Sequence, residues 1–84
     1  MKHAKKGMIV LCQANGNMEH AFIGRIEKCY ENAAMVTILD YAPQDRVNVQ
    51  DLIGKTVIAF SQMKQSASER LAVKGQPAVQ RSIG

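Results

Sequence analysis

The stretch Ala21-Phe22-Ile23-Gly24-Arg25-Ile26-Glu27-Lys28-Cys29-Tyr30 decides how the rest of the chain reads. Phe22, Gly24 and Ile26 alternate with Ile23, Arg25 and Glu27, the two-residue period of a strand with one buried face. After Ile26 the phase slips. Cys29 rather than Lys28 is the next inward residue, and one extra residue of that kind predicts a β-bulge.

A strand needs partners, and both flanks supply them. Upstream, Met8-Ile9-Val10-Leu11-Cys12 is apolar throughout, as in a strand buried on both sides or at a barrel's centre. It runs into Ala14-Asn15-Gly16-Asn17, where Asn-Gly supplies the positive φ of a turn. Downstream, Glu31-Asn32 is short enough for a hairpin turn, with Asn32 suited to the left-handed conformation. Residues 34–39 follow as a strand with Ala34, Val36 and Ile38 inward, and residues 40–45, containing Pro43, read as a loop. Arg46-Val47-Asn48-Val49 alternates as a fourth strand with two core valines. Residues 50–54 predict one 3₁₀ turn that drops Leu52 and Ile53 over an open barrel end. Residues 55–60, rich in β-branched side chains, make the fifth strand.

These elements outline an all-β fold, a small five-stranded SH3-like barrel over residues 7–60. Residues 1–6 form a basic N-terminal arm. Residues 61–84 form a polar, basic tail, largely disordered or holding one short helix. The helix signal is Ser66-Ala67-Ser68-Glu69, a capping-box pattern ahead of Arg70-Leu71-Ala72-Val73-Lys74, with Gly75 as a stop.

The 84-residue length leaves room for one small domain, which excludes a multidomain enzyme. With 46% hydrophobic and 21% charged residues, the composition is that of a globular chain with a core, built mainly from aliphatic side chains because Trp is absent. The longest apolar run, residues 8–12, is far short of a membrane span or an export signal, so the expected location is cytoplasmic. The net charge of +4 is unevenly placed: residues 1–6 carry +3, residues 61–84 carry +3, and residues 7–60 carry −2.

Cys12, Cys29, His3 and His20 could supply four zinc ligands, but structural sites pair ligands two to four residues apart, and these are scattered. Nothing in the sequence activates either thiol as a nucleophile. The expectation is therefore no metal, no cofactor and no catalysis.

Two resemblances add to this reading. Gly7-Met8-Ile9-Val10, then Gly16, then Gly24-Arg25-Ile26 resembles the KOW motif of ribosomal and transcription-elongation proteins. Over residues 5–64, the segments Gly7-Met8-Ile9-Val10, Asn15-Gly16, Gly24-Arg25-Ile26-Glu27-Lys28, Glu31-Asn32 and Lys55-Thr56-Val57-Ile58 resemble the short bacterial proteins typified by YkvS. That family is a domain of unknown function, so the second likeness implies a small cytoplasmic barrel and no activity.

The first functional expectation is a non-enzymatic binding module for RNA or a nucleoprotein, motivated by the KOW-like arrangement and a pI near 9.3. Its contact residues would be Lys5, Lys6, Arg25, Lys28, Tyr30, Tyr41, Lys64, Arg70 and Lys74, because aromatic faces stack bases while cations hold phosphate. The second expectation is a protein interaction or assembly module that uses an exposed strand edge or the segment 66–74.

Overall fold

The computed structural model describes residues 4–71. Its strands are β1 (Ile9–Cys12), β2 (Phe22–Cys29), β3 (Ala33–Tyr41), β4 (Lys55–Ala59) and β5 (Met63–Gln65). One short helix, α1 (Arg46–Asp51), and 3₁₀ turns at Pro43–Asp45 and Phe60–Gln62 complete the described residues. All strand pairings are antiparallel, in the order β4-β3-β2-β1-β5. The end strands β4 and β5 do not pair with each other, so the expected barrel is not closed.

β2 lies at the centre of this order, and its alternation sets the inner face. Phe22, Gly24 and Ile26 are all buried there. They are matched by Val10 and Cys12 on β1, by Ala34, Val36 and Ile38 on β3, by Ile58 on β4 and by Met63 on β5. The bulge expected after Ile26 is present, since Ile26 pairs with Val36 and Lys28 with Met35, leaving Glu27 as the extra residue. Cys29 shares a face with Ala34 but sits far enough along the strand to be exposed. A second register shift falls between Ile23 and Gly24, where Leu39 is the extra residue on β3.

Two sequence expectations are overturned between β3 and β5. Residues 46–49 are helix, not strand: a four-residue alternation cannot separate a period of 2 from one of 3.6. The preceding Pro43 opens a 3₁₀ turn that feeds directly into α1. Val49 and Leu52, one helical turn apart, pack against the core, while Val47 is left exposed. The final strand is β5, inside what the sequence reads as tail, and it pairs with β1 through Val10 to Gln65, Leu11 to Lys64 and Cys12 to Met63.

The residues after β5 do not form the start of the expected helix as far as residue 71; the remainder, residues 72–74, lies outside the described residues. Ser66 is not a helix cap. Its hydroxyl instead bonds the Ser68 carbonyl and accepts from the Ser68 N–H.

The turns differ in similar detail. Tyr30 N–H donates to the Ala33 carbonyl at 2.7 Å, closing the two-residue hairpin, yet Asn32 does not adopt positive φ. Among non-glycine residues described, that conformation occurs at Ile53 alone, with φ 56°. Ile53 N–H reaches the Gln50 carbonyl and Gly54 N–H the Val49 carbonyl, the bond pair of a Schellman motif. The left-handed position of that motif favours glycine, and a β-branched residue there costs about 1 to 2 kcal/mol. Ile53 points outward, 85% exposed, instead of closing the core.

The core lies on one face of the sheet, although Ile23 is buried on the other, and among the described residues no second sheet covers it. The cover is the long β1–β2 connection, which contributes the fully buried Met18, together with Val49 and Leu52 of the α1 region. Asp45 clips these two pieces together. Its carboxylate, with no exposure to solvent, accepts from the backbone N–H groups of Glu19 (3.1 Å) and His20 (3.0 Å), from the Asn48 amide (2.9 Å) and from His20 Nδ1 (3.3 Å). Burial opposes ionisation most strongly, but the Glu19 N–H, the Asn48 amide and the two His20 donors together hold the carboxyl below its ordinary value.

Two outcomes follow from this packing. A Cβ at Gly24 would lie 3.1 Å from both Cβ and Cγ2 of Val36 and 3.2 Å from the Thr37 carbonyl oxygen. Gly24→Val should therefore lower stability by about 1 to 3 kcal/mol in chemical denaturation; an unchanged midpoint would mean that the strand yields there freely. Asp45→Asn puts an amide donor among donors and should cost about 1.5 to 3 kcal/mol at neutral pH. Because the folded carboxyl ionises below its ordinary value of 3.8, its contribution is complete above that pH and is lost as the pH falls through the folded value. Denaturation midpoints from pH 7 down to pH 2 should thus converge for wild type and Asp45→Asn at the acid end; a constant gap would contradict the role given to the charge.

Candidate nucleic-acid interface

The N-terminal arm is built onto the end of β2. Met8 N–H donates to the Lys5 carbonyl at 3.1 Å, and Gly7, at φ 90°, occupies the third position of this turn, where positive φ is needed. Gly7 N–H then bonds the Ile26 carbonyl at 2.7 Å, and Ile26 N–H bonds the Met8 carbonyl at 2.9 Å. Cys29 Sγ contacts the Ala4 carbonyl at 3.7 Å. Lys5 and Lys6, both exposed, are thereby fixed beside the 26–29 end of β2.

The same end carries Lys28 and Tyr30. The Lys28 ammonium lies 5.5 Å from the Tyr30 ring centroid, within cation–π range, and Tyr30 is 46% exposed. Arg25 lies on the outer face of β2 in a row that runs from Ile9 on β1 through Thr37 on β3 to Lys55 on β4. Glu27 sits within this basic group. Its carboxylate accepts from Thr37 Oγ1 at 2.8 Å and from Arg25 Nε at 3.2 Å. The Thr37 hydroxyl, then Arg25, then the more distant Lys55 lower its pKa despite partial desolvation. Among the described residues Lys5, Lys6, Lys28 and Lys55 form no ion pair.

The remaining sequence candidates are elsewhere. Tyr41 pairs with Phe22 at the opposite end of β2, about 26 Å from Tyr30 by strand rise, and is half-buried against the core. Lys64 is in the row of Leu11, Ile23 and Asp40, near that far end. Arg70 borders a shallow hollow with Leu39, Asp40 and Glu69, where Leu71 N–H donates to Asp40 Oδ2 at 2.7 Å. Lys74 lies outside the described residues. The structure thus places Lys5, Lys6, Lys28 and Tyr30 towards one end of β2, with Arg25 further along the strand, and puts Tyr41, Lys64 and Arg70 at the other end. Lys55 joins the first group through strand register alone, a relation that no spacing in the sequence reveals.

The potential metal ligands are not brought together as the sequence grouped them. Cys12 pairs with Phe22 and Cys29 with Ala34, at opposite ends of β2, and His3 is outside the described residues. Burial pushes the Cys12 thiol up to about 12, so it is protonated at neutral pH and a poor nucleophile. A different trio, Glu19, His20 and Asp45, presents ligand-type atoms within 4.8 Å of one another. Each Asp45 oxygen already accepts two hydrogen bonds, which fills the lone pairs a cation would need, so the trio serves the fold.

No protein-family model, curated protein or solved structure matches the chain. Among the described residues no helix is long and apolar enough to cross a membrane.

Proposed function

We propose that this protein is a non-enzymatic, cytoplasmic RNA-binding or nucleoprotein-binding module that holds single-stranded nucleic acid at the arm end of β2. The observation that carries this reading is the docking of the arm that bears Lys5 and Lys6 onto Ile26, through the Gly7–Ile26 and Met8–Ile26 backbone bonds, at the end of β2 that also bears Lys28 and Tyr30. With Arg25, the group holds four cations against Glu27 and Glu31. One face of Tyr30 receives the Lys28 ammonium, which leaves the other for a base, and base stacking on an aromatic ring is worth about 1 to 3 kcal/mol. The strand order, with a 3₁₀ turn ahead of the last strand, supports kinship with SH3-like folds in an open form. It agrees with the KOW-like segments Gly7-Met8-Ile9-Val10 and Gly24-Arg25-Ile26. Fold likeness alone assigns no ligand, so the charged cluster bears the argument.

Fluorescence anisotropy with a labelled single-stranded RNA across a salt series tests the reading. Neutralising four phosphates gives a slope of log K against log salt of about −3 on a single strand, and Lys5→Ala/Lys6→Ala should bring it to about −1.4. Tyr30→Ala should weaken binding by about fivefold or more without changing the slope. Absence of binding at low salt, or a slope untouched by the double substitution, contradicts the proposal.

A further inference from the structure

The two edges of the sheet are unlike. β5 is three residues long, and its Lys64 and Gln65 are exposed, features that discourage strand addition. β4 is five residues long, contains neither proline nor a bulge, and places the 53% exposed Val57 at its centre. Which of its backbone groups are unused follows from the ladder with β3. Ile38 N–H bonds the Gly54 carbonyl at 2.7 Å and Phe60 N–H bonds the Asn32 carbonyl at 3.0 Å, so the even-numbered residues face β3. The N–H and C=O groups of Val57 and Ala59 and the C=O of Lys55 point away from the sheet, while the Lys55 N–H is taken up by the Leu52 carbonyl at 3.3 Å.

This free set is centred on Val57. We propose that β4 pairs with β4 of a second copy of this chain, antiparallel about a two-fold axis at Val57, making one continuous ten-stranded sheet. In that register the two Val57 residues exchange both backbone bonds, and each Ala59 N–H meets the carbonyl of the partner's Lys55. The two Lys55 side chains are separated by four residues of strand, about 14 Å, beyond the reach of strong repulsion at physiological salt.

Charge favours the same occupant. Lys55 arrives at the end of the partner's β4 to which the hairpin carrying Glu31 is bonded, on the order of 12 Å away between Cα atoms, so two long side chains of opposite charge attract each other twice across the axis. The strained and exposed Ile53, just before β4, is brought to the end of the partner's β4 that leads into the half-buried Phe60. An apolar side chain held in an unfavourable conformation with nothing of its own chain to cover it thereby gains a contact. A five-residue edge plus two such contacts is a small interface, so the dimer forms in proportion to concentration.

Disulfide trapping tests register and occupant together, in a Cys29→Ser background that removes the exposed native thiol. Under mild oxidation Val57→Cys should give a covalent dimer. Lys55→Cys should not, because its two copies lie beyond the roughly 7 Å Cα limit of a disulfide, whereas an equal mixture of Lys55→Cys and Ala59→Cys should cross-link. Sedimentation equilibrium of the otherwise native chain should show a monomer–dimer equilibrium whose dissociation constant Val57→Lys raises about tenfold or more, with like charges set opposite each other. A wild-type protein that stays monomeric at high concentration overturns the proposal. A monomer in which the Val57→Cys thiol resists a small alkylating reagent would mean that the chain covers its own edge, and also overturns it. Equal trapping at positions 55 and 57 would contradict the register. The Val57 variants leave Lys5, Lys6, Arg25, Lys28, Tyr30 and Lys55 in place, so their dimerisation results are read separately from RNA binding.

Discussion

A carboxylate with no contact with water is costly unless donors surround it, and Asp45 has four. The rest of the molecule depends on that arrangement because the sheet has one buried face and little to cover it. Met18 arrives from the β1–β2 connection and Val49 with Leu52 from the α1 region, two segments well apart in the sequence. Burying Met18 alone is worth about 1.5 to 3 kcal/mol, comparable with the backbone entropy of fixing one or two loop residues. The connection is held in place by additional bonds, and the Asp45 carboxylate provides them by accepting from two loop N–H groups.

With the cover fixed, the sheet's other features fall into place around β2. The bulge at Glu27 turns Lys28 onto the outer face with Met35, and Gly7 lets the arm turn sharply enough for its backbone to bond Ile26. Charge that is diffuse along the chain becomes local in space. Residues 7–60 carry net −2, yet Glu19, Asp40 and Asp45 belong to the other end of β2, and of the acids near the arm Glu27 is engaged by Thr37 and Arg25. The division of charge by sequence segment therefore understates the positive character of the arm end of β2.

Much of the sheet was legible from alternation: Phe22, Gly24 and Ile26 inward, the slip after Ile26, Ala34, Val36 and Ile38 inward, and Lys55 to Ala59 as a strand. The count of five strands was reached with one wrong member, since residues 46–49 are helical and Met63–Gln65 supplies the missing strand. Val47 and Val49 were too few to distinguish a helix from a strand, and a three-residue strand with one buried side chain leaves no periodic signal at all. Asp45 itself looked like one more loop acid. A carboxylate ahead of a helix, with Asn three residues on, was the available hint, but the N–H groups it receives are some 25 residues away in the chain. Of the candidate contact residues, those on β2 and the arm were gathered by strand register and backbone docking. Those at Tyr41, Lys64 and Arg70 were dispersed by the same register.

The central claim is that the β1–β2 connection is part of the folded unit and not a loop lying on it. Hydrogen exchange of the Glu19 and His20 amides at neutral pH measures this directly, because both amides are exposed to solvent unless the Asp45 bonds persist. The account predicts exchange for these two amides as slow as for core amides of β2, with protection lost together in one global opening. Exchange at the rate of an open loop, while β2 remains protected, would contradict it.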